Sequence, residues 1–236
     1  MNRWYQADLH IHTALSPCAG REMSPPAIVA TAISAGLDLI AITDHNSLGN
    51  VLAVQQAAEG TGLAVLTGIE VQTIEEIHLL CLFPGYEEAV AVQKLVDATL
   101  PSCLNRPEYF GEQLLFDYKG NIIGTETKLL LNSCNLTINQ LVRAVLQVKG
   151  IAIPAHIDRK AYSILEVLGF IPPGLFPAIE ITPYSLQENR AQEFLSLGYP
   201  MIISSDAHSL TEIGLCKSRF YLAGPSLPAL IEYLCQ

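Results

Sequence analysis

A short apolar run, a polar cluster at its end, then a helical stretch closed by glycine: this unit recurs along the 236 residues and limits the fold more than any other feature. The apolar runs are Tyr5–His10, Leu39–Ile42, Ala64–Thr67, Ile77–Leu82, Ile151–Pro154, Ala178–Ile181 and Met201–Ser204. Between them, helical patterns cover Pro25–Ala35, Leu48–Glu59, Glu87–Leu100, Thr137–Lys149, Leu186–Leu197 and Ser226–Leu234. Ser24-Pro25-Pro26 reads as a helix start, with serine as N-cap and proline in the first turn. Gly36, Gly60, Gly150 and Gly198 each follow a helical run, as C-terminal caps do. Strands alternating with helices predict a parallel α/β architecture.

The polar clusters carry the chemistry. His10 and His12, Asp44 and His45, Glu70, His156, Glu180, and Asp206 with His208 all lie at or just past the C-terminal end of an apolar run. In parallel α/β folds that edge holds the active site. His78 alone falls inside its run, so its side chain must point inward to join the others. All six histidines of the chain belong to this set, and none is left over as a surface residue. Neutral imidazole is the commonest protein metal ligand, and several converging imidazoles are what a metal enzyme needs. Side chains alternate along a strand, so His10-x-His12 turns two imidazoles to one side, and Asp206-x-His208 repeats the spacing with a hard oxygen.

Composition narrows the function. The chain is 50% hydrophobic and only 15% charged, with a formal net charge of −10. Such a chain repels phosphate backbones at long range, so no long nucleic acid is expected as a partner. A local positive pocket made by bound ions remains open. Met1 to Tyr5 runs directly into the first strand with no signal peptide in view, and no apolar stretch reaches the roughly 18 residues of a membrane span. The expectation is a cytoplasmic protein without a membrane partner. Cys18, Cys81, Cys103, Cys134, Cys216 and Cys235 form no Cys-x-x-Cys pair and read as mostly buried thiols in a reducing compartment. Residues 1–236 read as one domain with an insertion at about 101–135. There Lys119-Gly120-Asn121 reads as a hairpin turn, and the insertion is either a lid over the site or padding on the barrel wall.

Taken together, His10-x-His12, Thr43-Asp44-His45, Gly68-x-Glu70, an isolated His156 and a terminal Asp206-x-His208 resemble the polymerase and histidinol phosphatase (PHP) superfamily. The resemblance runs from Asp8 to His208. It is closest to the stand-alone metal-dependent phosphoesterases, including the type that removes phosphate from nucleoside 3′,5′-bisphosphates and trims short RNA. The resemblance implies a distorted (β/α)7 TIM-like barrel with two to three divalent ions, Mn, Fe or Zn, at the C-terminal strand ends. The first ion would take His10, His12, Glu70 and Asp206. The second would share Glu70 and add His78 and His156, and the third would take His45 and His208. Family members usually give the third ion an Asp or His shortly after the His-x-His. Here the expected position is Pro17, with Cys18 next to it as a thiolate alternative.

The activity expected is hydrolysis of a small phosphate monoester, such as a nucleoside 3′,5′-bisphosphate or a histidinol-phosphate-like ester, by metal-activated water. Asp206 or His208 would act as general acid or base. Arg159, Glu180 and Arg219 are the candidate substrate contacts, with Arg21 and Lys217 as further candidates for phosphate. Asp44 and Asp8 are candidates to orient imidazoles from behind, and Asp8 reads equally as a satisfied strand-end carboxylate. Alternatives are a 5′–3′ exonuclease on short RNA or DNA ends, a catalytically inactive binding module, and an amidohydrolase acting on C–N bonds.

Overall fold

A computed structural model describes residues 1–187 and 191–235. In chain order its elements are β1 (Arg3–Ile11), α1 (Pro25–Ser34), β2 (Leu39–Ile42), α2 (Val51–Ala58), β3 (Ala64–Gln72), β4 (His78–Phe83), α3 (Tyr86–Thr99) and α4 (Pro107–Phe110). Next come β5 (Leu114–Phe116), β6 (Ile122–Thr125), α5 (Ile138–Gln147), β7 (Ile151–Pro154), α6 (Ile164–Leu168) and β8 (Ile179–Ile181). The chain closes with α7 (Pro183–Gln187), α8 (Ala191–Leu195), β9 (Met201–Ile203), β10 (Ser218–Leu222) and α9 (Leu227–Leu234). The helix expected over Leu186–Leu197 includes residues 188–190, which lie outside the described residues.

The main sheet has the order β10-β1-β2-β3-β4-β7, and β8 pairs with β9 in a separate two-stranded sheet. The sheet curls, and β9 comes back to β1 through backbone bonds between Ala207 and both His10 and His12. On the other side, Ile157 N–H donates to the Glu180 carbonyl and ties β7 to β8. The α/β class and the curl agree with the expected barrel, but the strands are not all parallel. β1, β2 and β3 run parallel, whereas β4 is antiparallel to both β3 and β7, and β10 is antiparallel to β1. The cause is short connection: only the Thr73–Ile77 turn separates β3 from β4, and a parallel pair needs a crossover of about a dozen residues or more. Strand β10 has no counterpart among the apolar runs, because its sequence Ser-Arg-Phe-Tyr-Leu alternates between buried and exposed residues.

Side-chain alternation sorts the strands' residues into two cores. Leu9, Leu39, Ala41, Leu66, Leu80, Leu82, Ile151 and Ile153 pack inside the curl with Leu230 and Leu234 of α9. Ile40, Ile42, Ile69, Leu79, Cys81 and Ala152 face outward against α1, α2, α3 and α5. Every one of these strand residues is fully or nearly fully buried, at roughly 1.5–3 kcal/mol for each large side chain removed from water.

Local signals explain the helix ends. Ser24 and Pro25 open α1, and a capping box of Thr137 with Gln140 opens α5. Gly150 differs from expectation. Lys149 takes the left-handed turn (φ 60°), and Gly150 is instead required by close approach, since a Cβ there would lie 2.7 Å from the Leu82 carbonyl oxygen. The expected hairpin is present as β5 and β6 around Asp117–Asn121. Its Leu114 and Phe116 are buried in the outer core, and Asn50 brackets them by donating to the Leu114 carbonyl and accepting from Phe116 N–H.

Candidate metal centre

Strand direction delivers the donors to one edge. β1, β2, β3, β7 and β9 end there, and antiparallel β4 begins there, which is why His78 stands at the start of its strand and still joins the site. Glu70 continues the inward row of Leu66 and Gly68, and His78 precedes the inward row of Leu80 and Leu82. Glu70 sits diagonally across the ladder from His78, within reach for side chains on one face. His78 thus points inward as expected.

The donors close on Glu70. Its Oε1 lies 2.8 Å from His78 Nδ1, 3.2 Å from His156 Nε2 and 3.4 Å from His10 Nε2. Its Oε2 lies 2.8 Å from His45 Nδ1 and 3.5 Å from His12 Nε2. Asp206 Oδ1 is 3.1 Å from His10 Nε2 and 3.2 Å from His12 Nε2. His12, His45 and His208 bring nitrogen atoms within 4.8 Å of one another, as do the donors of the trios His10–His12–Glu70 and His45–Glu70–His78. All eight residues expected as ligands therefore converge. One detail differs from expectation: His45 faces Glu70 as well as His208, so it stands between the second and third positions.

Hydrogen bonds behind the rings set which nitrogen faces inward. His10 Nδ1 donates to Glu180 Oε2 at 3.0 Å, so Nε2 is the nitrogen turned toward Asp206 and Glu70. Ser16 Oγ gives its one proton to Asp44 Oδ1 at 2.7 Å and accepts from His12 Nδ1 at 2.9 Å, which leaves His12 Nε2 free. His208 Nδ1 donates to the Asp206 carbonyl at 2.8 Å. Such partners fix tautomer and ring orientation at metal sites.

Charge and strain mark the same spot. Burial opposes ionisation of Glu70, yet the imidazoles of His78, His10 and His45 hold its carboxyl well below the ordinary range. Asp206 is held low against burial by His10 and His12. Burial pulls His10 down, but Asp206, Glu180 and Glu70 carry it well above the usual imidazole value. Burial also lowers His78, to about 4, against the pull of Glu70. At Cys18 burial acts upward, and hydrogen bonds with His208 and His45 bring the thiol down to about 7. His156 (φ 32°) and Asp206 (φ 51°) occupy left-handed backbone that non-glycine residues rarely adopt, a strain of order 1–3 kcal/mol found where function demands a fixed geometry.

The donor set fits divalent cations. Buried Glu70 Oε2 and His156 Nδ1 accept or donate no hydrogen bond among the described residues, although His45 Nδ1 lies 2.8 Å from Oε2, and a buried carboxylate oxygen that faces imidazole nitrogens without a hydrogen bond is what a cation would satisfy. Imidazole with carboxylate suits Zn, Fe and Mn.

The other sequence candidates fall in different places. Arg159 reaches the centre: its Nη1 lies 2.6 Å from Asp206 Oδ2 at the rim. Glu180 does not face a substrate; it is buried behind His10, where it also accepts the His156 backbone N–H at 3.0 Å. Arg219 is not brought to the site. It pairs opposite Gln6 near the start of β1 and lies over the Trp4 ring. Arg21 bonds Glu112, and Lys217 bonds the Ala35 carbonyl. Asp44 serves the centre through Ser16 and also accepts from Thr13 N–H and Oγ. Asp8 accepts from the backbones of Ser205 and Gly214 and is a satisfied carboxylate inside β1 rather than at its end. Two residues not anticipated are Ser16 and Tyr162, whose ring stacks on His78 at 4.6 Å. Ser16 was readable as a hydroxyl close after His-x-His; nothing in the sequence marks Tyr162.

A family model for the PHP domain matches residues 8–161, well over half of the chain. The chain belongs to the PHP domain family. A 5′-3′ exoribonuclease of Haemophilus influenzae is 31% identical over 78 residues, 32% of this chain and 27% of that protein. The lesion-specific endonuclease PfuEndoQ of Pyrococcus furiosus superposes with a TM-score of 0.72 at 17% identity, over 99% of this chain and 56% of that one. A protein of Bifidobacterium adolescentis assigned as a metal-dependent phosphoesterase gives a TM-score of 0.61 at 17% identity, over 97% of this chain and 95% of that one. This PHP chain thus spans about half the length of PfuEndoQ and a smaller part of the exoribonuclease. The curled α/β architecture is the one these solved structures share.

Proposed function

We propose that the chain is a metal-dependent phosphoesterase that hydrolyses a small phosphate monoester, a nucleoside 3′,5′-bisphosphate or a histidinol-phosphate-like ester. The observation that carries this reading is the convergence of six imidazoles on Glu70 and Asp206 with the Arg159 guanidinium at the rim. His10, His12, Glu70 and Asp206 would hold one ion, Glu70 with His78 and His156 a second, and His45 with His208 a third. Divalent ions held there would activate water and stabilise charge on the phosphoryl group.

The chain's own residues supply the rest. Arg159 presents a planar fork suited to two phosphate oxygens, and it borders both the cavity of about 360 Å³ over the ligands and a neighbouring cavity of about 950 Å³. The smaller cavity suits the phosphate, and the larger, walled by Ile157, Leu165 and Phe194 with Lys160 among its polar residues, suits the remainder of a small ester. Asp206 is ionised and bonded through both oxygens, so it acts as a ligand and an anchor for Arg159 rather than as a proton donor. His208 Nε2 has a single lone pair, which serves the outer ion when that ion is bound. With that position empty, the same nitrogen is the group placed to carry a proton at the mouth of the cavity.

Phosphate release from adenosine 3′,5′-bisphosphate by the Mn²⁺-reconstituted chain, beside a chelator-treated control, tests the reading. Chelator-sensitive release that tolerates added salt is expected. A second reading, hydrolysis at short RNA or DNA ends, draws support from the exoribonuclease and endonuclease named above. Cleavage of oligonucleotides alone, falling steeply with salt, would favour it and remove the small-ester reading.

A further inference from the structure

Strand β10 ends the order of the main sheet, and its outer edge carries unpaired backbone. Gln6 gives its N–H to the Asp38 carboxylate, and its carbonyl accepts from Asp38 N–H just before β2. The backbone groups of one strand residue point the same way, and successive residues alternate, so Tyr5 and Ala7 turn theirs toward β10. Their partners Phe220 and Ser218 turn back to meet them. Arg219 and Tyr221 are left with N–H and C=O directed away from β1, and among the described residues neither makes a backbone bond to any other element. At Ser218 the edge is closed, because its Oγ bonds both Ile203 N–H and the Ile203 carbonyl.

The side chains of Arg219 and Tyr221 share the outer face of the sheet with Trp4. Trp4 and Tyr221 pair across the ladder with ring centroids 5.4 Å apart, and the Arg219 guanidinium lies 5.0 Å from the Trp4 centroid. Trp4 is 52% and Tyr221 47% exposed, and Trp, Tyr and Arg are the residue types that dominate binding energy at protein interfaces. Phe220, between Arg219 and Tyr221, is buried with its ring against Tyr233 of α9. Glu232 of the same helix borders a small cavity that Tyr221 and Tyr233 also line. The edge is therefore cationic at Arg219 and anionic beside Tyr221. An antiparallel strand with an arginine opposite Tyr221 would set that charge over an aromatic ring and near a carboxylate. The chain's own β10 is such a strand, because Arg219 and Tyr221 stand symmetrically about Phe220.

We propose that the β10 edge is an interface between two copies of this chain, paired antiparallel about a two-fold axis at Phe220. Each Arg219 exchanges its backbone N–H and C=O bonds with the partner's Tyr221. Its guanidinium then lies over the ring of the partner's Tyr221, within reach of the partner's Glu232. Such an interface presents the same patch on both sides and closes at the dimer. A contact built on one five-residue strand is small beside the roughly 800 Å² per partner of a stable dimer, so the association is reversible, with a Kd on the order of 10–100 µM. Tyr5, opposite Phe220, precedes His10 by about 17 Å along β1. The pairing thus lies away from the metal centre and does not depend on the proposed function.

Sedimentation velocity of the whole chain from about 1 µM to about 1 mM brackets that range. A concentration-dependent dimer is expected, and the emission of Trp4, the one tryptophan of the chain, should shift to the blue as it forms. Two variants locate the contact. Tyr221→Pro removes the outward N–H and spares the ladder with β1. Arg219→Glu sets a carboxylate near the partner's Glu232. Each should weaken the dimer by about tenfold or more, and Arg219→Glu combined with Glu232→Arg should recover most of the loss. Far-ultraviolet circular dichroism checks that every variant is folded. A wild type that stays monomeric over the whole range would overturn the proposal. So would a dimer whose Kd is unchanged in folded Arg219→Glu and Tyr221→Pro, or a doubly changed chain no tighter than Arg219→Glu alone, since either result assigns the contact to another surface.

Discussion

Replacing Glu180 with alanine removes the acceptor that aims His10 at the centre. Glu180 Oε2 receives His10 Nδ1–H at 3.0 Å and His156 N–H at 3.0 Å, and all three groups are buried. A hydrogen bond to a charged group contributes about 1.5–3 kcal/mol, and a buried donor left without a partner costs about 1–3 kcal/mol. Loss of the ring's anchor corresponds to about 10–100-fold in metal affinity by the usual effect of groups behind a ligand, or about 1.4–2.8 kcal/mol. The two estimates agree at the scale of one charge-assisted bond. Glu180→Ala should therefore weaken the ion shared by His10, His12, Glu70 and Asp206 by 10–100-fold. Glu180→Gln, which keeps an acceptor oxygen and loses the charge, should weaken it by about tenfold or less. Competition for Zn²⁺ against a chromophoric chelator reads both constants, and urea unfolding of the metal-free proteins checks that each variant is folded. Wild-type affinity in a folded Glu180→Ala would refute the orienting role. Equal losses in the two variants would show that charge, not ring aim, carries the effect.

Three further outcomes follow from the same geometry. Chelation should lower Tm, because ions that bind only the folded centre stabilise it by about 4 kcal/mol at 1,000 times Kd, on the order of 10 °C for a chain of this size; thermal scans with and without chelator measure it. Burial raises the Asp8 carboxyl to about 6 despite bonds from Ser205 and Gly214. The folded chain therefore binds more protons than the unfolded one between about pH 4 and 6, and stability falls as pH rises through that window, by about 3 kcal/mol. Asp8→Asn lacks that slope, so urea midpoints of the two metal-free proteins should draw together or cross as pH rises, and parallel pH profiles would contradict the burial argument. Gly111 holds φ 102° with its missing Cβ directed into the Pro17 carbonyl. Gly111→Ala should cost about 1–3 kcal/mol and loosen the loop bearing Cys18, seen as faster thiol labelling in the metal-free chain.

The metal ligands were legible because each depends on local order: period-two spacing and a place at the end of an apolar run. Even His78 was readable, given that it had to face inward. The direction of β4 was also open to reading, since residues 68–76 between the two expected runs are fewer than the dozen or so that a crossover needs. What stayed hidden depends on partners distant in sequence. Glu180 meets His10 across 170 positions, and no spacing rule links a strand-end glutamate to the back of a ring rather than to a substrate. Arg219 looked free for phosphate only while β10 was unrecognised; on that edge strand it lies over Trp4, far along β1 from the histidines. Arg159 and Glu180 were equivalent candidates in sequence, and the structure sends one to the rim and the other behind the wall.

The antiparallel β3–β4 ladder gives the centre unequal mechanical support. Glu70, Gln72 and His78 are fastened by cross-strand bonds in the middle of the sheet, whereas His156 and Asp206 perch on left-handed turns just beyond β7 and β9. One half of the donor set is a fixed jaw and the other is sprung. When ions leave, the sprung half is the part free to breathe, so amide exchange in the stripped chain should quicken around 156–160 and 205–209 while the β3–β4 amides stay slow. Capture of an ion would then amount to two turns closing down on a ladder that never opened.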